Sequence, residues 1–219
     1  MRKFDLMEEY NSTISNSNII NLISKIHEYK GKQSYLLDSK KSTLDTLLKV
    51  AKIQSTSSSN KIEGVYTTDK RINEIVNQKL EPKNRNEEEL AGYRDILSLI
   101  HENYNFIDIT KNTILQLHKD LYRYTGYSYG GRFKNSQNYI EEENEKGEKK
   151  VRFTPLSPVE TPIAIEALCK NYNELVNKES CDLLVLIPIF ILDFVSIHPF
   201  NDGNGRMSRL LTLLLLYKA

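Results

Sequence analysis

His198-Pro199-Phe200-Asn201-Asp202-Gly203-Asn204-Gly205-Arg206-Met207-Ser208-Arg209 is the stretch on which the reading of this chain turns. It follows the most apolar part of the sequence, Leu183 to Ile197, and runs into a second apolar run, Leu210 to Tyr217. That order predicts helix, tight loop, helix. Gly203 and Gly205 let the backbone turn sharply and approach a ligand closely. The helix that opens after them starts with N–H groups that have no intrahelical acceptor, at the end where its dipole favours negative charge. Arginines in a first turn oppose that dipole, so Arg206 and Arg209 are better explained by an anionic ligand than by helix stability. With His198 and Asp202, the stretch holds a candidate base, a candidate magnesium ligand, an amide nest for an anion and two guanidinium forks.

These residues resemble the signature of the Fic family, His-x-Phe-x-(Asp/Glu)-Gly-Asn-Gly-(Arg/Lys)-x-x-Arg, and every fixed position is matched in register. The resemblance implies a mainly α fold, a Fic-type helical core with a small β-hairpin flap. It also implies an adenylyltransferase: AMP moves from ATP to a Ser, Thr or Tyr hydroxyl of a target protein, and pyrophosphate is released. His198 would be the catalytic base and Asp202 the Mg2+ ligand. Phe200, Asp202, Gly203, Asn204, Gly205, Arg206 and Arg209 form the nucleotide-binding stretch, with Phe200 anchoring it in the core. The backbone of 203–205 and the Asn204 amide would hold the α-phosphate, Arg206 the β-phosphate and Arg209 the γ-phosphate. The final helix, Leu213 to Tyr217, would wall the adenine.

Upstream, Ser55-Thr56-Ser57-Ser58-Ser59-Asn60-Lys61-Ile62-Glu63-Gly64 reads by composition as a linker or a frayed helix end. The resemblance gives Ser59, Glu63 and Gly64 a sharper part. They fit the family's inhibitory pattern (Ser/Thr)-x-x-x-Glu-(Gly/Asn), in which Glu63 would occupy the Arg209 fork in place of the γ-phosphate. Two further readings stay open for the same site: removal of AMP from a modified protein, with Glu63 orienting water, and a non-catalytic helical interaction module.

The remaining sequence bounds these expectations. A chain of 219 residues with net charge +1 has a substantial core and no electrostatic case for nucleic acid. Cys169 and Cys181 suit neither a metal knuckle nor a disulfide framework. The N-terminus lacks the apolar core of a signal peptide, and Leu183 to Leu192 is too short for a bilayer, so a cytoplasmic protein is expected. Residues 1 to 15 read as loosely ordered. Helices are expected over an apolar stripe at Ile19, Ile20, Leu22, Ile23 and Ile26, from Ser42 to Gln54, from Thr68 or Asp69 to Val76 and from Asn86 to Ile100. Others follow Asp108 or Thr110 and, with Thr161 as cap, Pro162. Pro188 is expected to start or kink its helix. His27, His101 and His118 read as structural or surface residues.

Two extended pieces around a polar tip, within 132–155, read as a hairpin. The resemblance makes it a flap that docks the target by strand addition, approached through Arg132 and Gln137-Asn138-Tyr139-Ile140. Self-modification is a further possibility under this reading, while the sequence leaves oligomeric state open. The expected organisation is an N-terminal helical region, 1–80, carrying the inhibitory segment 59–64, then a catalytic core, 81–219, truncated at its C-terminus.

Overall fold

The computed structural model describes residues 4–37, 41–78, 80–144 and 147–219, without the side chains of 34–37 and 41. The first three residues of the N-terminal stretch and the hairpin tip at 145–146 lie outside the described residues. The architecture is mainly α with one two-stranded sheet, as expected.

Its centre is α8, Leu183–Ile197, apolar on nearly every face and flanked by α1 (Leu6–Ile14), α7 (Thr161–Asn177) and α9 (Asn204–Lys218). A helix with apolar residues all round must be wrapped by others. Asp182 caps α8 by accepting the Leu184 N–H at 2.9 Å, so the helix starts ahead of Pro188 and runs through it. On the other side, α5 (Arg85–Asn103) packs against α3 (Lys41–Ile62), α6 (Lys111–Leu121) and α9. Asn84 caps α5 and Thr110 caps α6, each accepting from the third N–H inward. The residue before Thr161, Glu160, takes the cap position of α7, while the Thr161 hydroxyl donates back to the Ser157 carbonyl. The short helix α4 (Asp69–Gln78) is joined to α5 by Arg71, whose guanidinium grips Glu87 at 2.6 and 3.0 Å.

Three expectations are corrected. The N-terminal stretch is not loose: Asp5 caps α1, Leu6 and Tyr10 are buried, and the Tyr10 hydroxyl accepts the backbone N–H of Asp182 at 2.9 Å. The serine-rich run is no linker, because α3 continues through it to Ile62. Thr56, Ser59 and Asn60 are buried there, in a helix packed on α5 and α9. The stripe on α2 (Ser17–Leu37) is only half covered, since Ile19 and Ile23 pack on the core while Ile20, Leu22 and Ile26 are exposed. His27 is exposed, with Nε2 2.6 Å from Asp182 Oδ2.

The hairpin lies where expected. Strand β1 (Ile140–Glu143) pairs antiparallel with β2 (Lys149–Phe153), with a bulge between Ile140 and Glu141. A two-stranded sheet leaves both outer edges unpaired.

Leu6→Ala tests the docking of α1. Deleting a buried leucine side chain costs about 2–5 kcal/mol, so urea unfolding should show a loss in that range. A loss no larger than that of an exposed substitution would mean that α1 does not dock.

Candidate active site

The chain leaves α8 through His198, whose backbone is left-handed with φ 53°. A non-glycine residue there costs about 1–3 kcal/mol and persists only where its surroundings hold it. Residues from two elements, the segment before the hairpin and α9, do so. Lys134 donates its backbone N–H to the Pro199 carbonyl at 2.9 Å and its ammonium to the Ile197 carbonyl at 3.1 Å. Asn138 accepts from that ammonium at 3.0 Å and donates to the Phe200 carbonyl at 3.1 Å. Asn204 brackets Phe200, accepting its N–H at 2.9 Å and donating to its carbonyl at 2.8 Å.

Phe200 is fully buried, its ring stacked on His118 with centroids 3.6 Å apart. His118 also ties the next part of the loop. Its Nε2 donates to the Asp202 carbonyl at 3.0 Å, and its Nδ1 accepts the Gly131 N–H at 3.0 Å. That pattern requires the neutral ring with its proton on Nε2. Burial pushes His118 down to about 4.

At the start of α9, Gly203 adopts φ 82°, and a side chain there would press on the Tyr122 hydroxyl. Asp202 accepts the Gly203 N–H through Oδ1 at 2.6 Å. Its Oδ2 lies 3.7 Å from Arg206, and its side chain is half exposed. The amides that follow have no acceptor within the helix, which leaves an anion slot at the first turn. Glu63, just beyond α3, lies in that slot: a Cβ on Gly205 would collide with its Oε1. The same oxygen accepts from Arg209 Nη2 at 2.7 Å. Arg209 also donates to Ser59, reaching its hydroxyl at 2.7 Å and its carbonyl at 2.8 Å.

Among the predicted site residues, the structure brings His198, Asp202, Gly203, Gly205 and Arg209 to one loop and sets Ser59 and Glu63 against it, while Gly64 is exposed beyond them. Phe200 is buried in the core, as the anchor reading expects, and offers a ligand nothing. Two placements differ from expectation. The Asn204 amide is committed to the Phe200 backbone instead of an α-phosphate. Arg206 points inward, 1% exposed, donating to Glu89 at 2.6 Å and to the Tyr122 hydroxyl at 2.8 Å. Of the expected adenine wall, Tyr217 stacks on Tyr104 and meets His101 at the far end of α9, about 18 Å of helix from Gly205.

Burial lowers the His198 pKa. The nearby Lys134 charge adds to that, while the Val195 carbonyl and the Glu63 carboxylate oppose it. Nδ1 of His198 is buried without a hydrogen bond of good geometry. Sequence reasoning missed Lys134, Asn138, His118, Tyr122 and Glu89 as parts of this site. Its attention fell on Arg132, which is exposed, two residues before the lysine that grips the loop.

This helix–loop–helix, with the end of α3 laid against the loop, defines a helical class of protein with an anion slot beside a histidine. The chain belongs to the Fic/DOC family, whose profile matches residues 108–216. Protein adenylyltransferase Fic of Drosophila melanogaster is 32% identical over 116 residues, 52% of this chain and 21% of that protein. A Fic family protein from Desulfovibrio desulfuricans G20 superposes with a TM-score of 0.71 at 21% identity, covering 93% of this chain and 58% of that one. A Fic domain containing signaling protein from Bacteroides thetaiotaomicron VPI-5482 gives 0.65 at 25% identity, covering 76% and 62%. The matched stretch is thus about a fifth of the Drosophila protein's length.

His118 sets a pH limit on the fold. Its folded pKa, about 4, lies below the ordinary 6.5. Above about pH 7 both states are neutral and the group contributes nothing to pH dependence. As pH falls from about 6.5 to 4 the unfolded chain takes the proton first and stability drops, on the order of 3 kcal/mol in all. Urea unfolding at pH 7 and pH 4.5 should therefore show a smaller difference between the two conditions for His118→Gln than for the wild type. An equal difference would contradict the assignment.

Proposed function

We propose that this chain transfers AMP from ATP to a hydroxyl side chain of a target protein, releases pyrophosphate, and is restrained by Glu63. The observation that carries the reading is the Glu63 carboxylate in the anion slot of α9, paired with Arg209 beside His198. A carboxylate lodged there marks where a phosphate would go. The family membership and the names of the relatives support the chemistry.

In this mechanism His198, kept neutral by its surroundings, takes the proton of the incoming hydroxyl as that oxygen bonds to the α-phosphorus. The bond from the α-phosphorus to the bridging oxygen breaks, and pyrophosphate departs. Amides at the start of α9 hold the α-phosphate oxygens as charge gathers on them. Arg209, once free of Glu63, takes the terminal phosphate and sets the chain's direction. Arg206 acts from beneath, bracing the loop through Glu89 and placing positive charge under it.

The donor set suits Mg2+. Asp202 Oδ2 has no closer cation than Arg206 at 3.7 Å, and no group of three or more His, Cys, Asp or Glu side chains able to hold a metal occurs among the described residues. One carboxylate is what an ion that keeps its waters and binds through substrate phosphates requires. Held at Asp202, Mg2+ would neutralise charge on the polyphosphate.

The open edges of the β1–β2 hairpin suit a target segment added as a further strand, with main-chain bonds supplying the grip. Cys169 and Cys181 are free thiols and no described helix is long and apolar enough to cross a membrane, which supports a cytoplasmic setting. Removal of AMP is the second reading. It is favoured by the electrostatic influence of Glu63 on His198, a position from which the carboxylate would orient water. Parallel incubations with ATP and with an AMP-modified protein separate the two directions.

His198→Ala should lower transfer by about 10²–10⁴-fold while nucleotide binding, read by calorimetry, is retained. Transfer near the wild-type rate would overturn the mechanism. Glu63→Gly frees Arg209 from a charge-assisted bond worth about 1.5–3 kcal/mol, so labelling from radioactive ATP should rise about 10- to 100-fold. No rise, with His198-dependent transfer present, would remove the restraint.

A further inference from the structure

Lys134 is 3% exposed, and burial lowers its ammonium to about 8 with no opposing carboxylate among the causes. Its hydrogen bonds go to a carbonyl and an amide oxygen. Removing a cation from water without a counter-ion costs several kcal/mol, and an apolar side chain of similar length would avoid that cost. Part of the offset is local, because the Ile197 carbonyl lies at the negative end of α8. The rest of its setting concerns the next residue, His198, which must hold a left-handed backbone and carry no proton if it is to act as a base.

We propose that Lys134 is the positioning residue of the His198 base: it clamps the Ile197–Phe200 backbone in the turn that aims the imidazole, and it sets a positive charge on the peptide that precedes that imidazole. The inference rests on the AMP-transfer reading for the base's task, and on this structure's own contacts for the clamp.

The clamp is specific in its geometry. Lys134 bonds the backbone on both sides of His198, through Ile197 and Pro199, and Asn138 extends the hold to Phe200. A water-exposed lysine would do neither. The electrostatic part adds to burial, the main cause of the lowered His198 pKa, and involves three groups from different elements. Lys134, in the segment after Gly131, repels a proton there. Glu63, at the end of α3, and the Val195 carbonyl, in α8, attract one.

Lys134 and Glu63 therefore act on His198 in opposite directions. While Glu63 sits on Arg209, its charge partly cancels that of Lys134. Once Glu63 leaves, that opposing charge goes with it until a substrate phosphate takes the slot. The ammonium remains charged through neutral pH and loses its proton above about pH 8, so the effect fades on the alkaline side.

The test uses the full chain carrying Glu63→Gly, with Lys134→Gln, Lys134→Arg and Asn138→Ala added singly. Lys134→Gln removes the charge and leaves only a shorter donor toward the Ile197 carbonyl. Histidine-labelled protein gives the His198 titration midpoint by NMR, assigned by loss of the signal in His198→Ala. Lys134→Gln should raise that midpoint by about 0.5–1 unit, and Lys134→Arg should return it. In steady-state transfer, Lys134→Gln and Asn138→Ala should each lower kcat by about tenfold or more, with the KM for ATP within about twofold. Only Lys134→Gln should move the acid limb of the pH–rate profile upward. An unshifted midpoint in Lys134→Gln overturns the inference even if AMP transfer is intact. A loss that falls on KM alone, or Lys134→Arg failing to restore the midpoint, also overturns it. If Lys134→Gln does not fold, the Asn138→Ala and Lys134→Arg pair decides: the midpoint must hold in both while kcat falls only in the former. A shifted midpoint with no AMP transfer to any protein would sustain the hold on the imidazole and overturn the function proposed above, so the two failures are distinguishable.

Discussion

A turn that must leave its own amides free for a ligand cannot be stabilised by them, and the loop between α8 and α9 is built around that constraint. Its backbone is held from outside, by Lys134, Asn138, His118 and Asn204, at Ile197, Pro199, Phe200 and Asp202. Phe200 is the mechanical anchor. Its ring lies on His118, and its peptide groups are bracketed by two asparagine side chains. Much of the surrounding fold serves this purpose: α6 delivers His118, the segment before the hairpin delivers Lys134 and Asn138, and α8 delivers His198 in a backbone state that it would not adopt alone.

The two arginines of the loop show how a small angular difference separates two fates. Arg206 and Arg209 are three residues apart on α9, about 60° apart around its axis. That is enough to put one on each side of the boundary between core and cleft. Arg206 is enclosed with Glu89, where removing either partner would strand a buried charge. Arg209 remains about one-third exposed and pairs with a carboxylate of similar exposure, a contact that water can replace at modest cost. The first pair suits permanent structure and the second suits exchange.

The legible parts of the sequence were those whose signal is local. The twelve-residue loop, the apolar helices on either side, the cap at Thr110 and the hairpin all follow from neighbouring residues. Other features depend on partners far away in the chain. Nothing near Glu89 announces Arg206, and nothing near Lys134 distinguishes it from the exposed Arg132. The Ser55–Ser59 run has the composition of a linker, yet packing against α5 and α9 overrides propensity and keeps it helical. The N-terminal helix was hidden for the same reason, because two buried residues, Leu6 and Tyr10, are too few to establish a period. Asn204 and Arg206 were recognised as part of the site, but a motif gives membership of a site and not the direction in which each side chain points.

The account stands on the exchange of a carboxylate for a phosphate at the first turn of α9. A crystal structure of the Glu63→Gly variant soaked with Mg2+ and a non-hydrolysable ATP analogue tests it most directly. The terminal phosphate should sit on Arg209 where the Glu63 carboxylate now lies, with the α-phosphate over the amides that follow Gly203 and within reach of His198. A polyphosphate bound elsewhere, with Arg209 turned to solvent and the slot closed by other side chains, would contradict it.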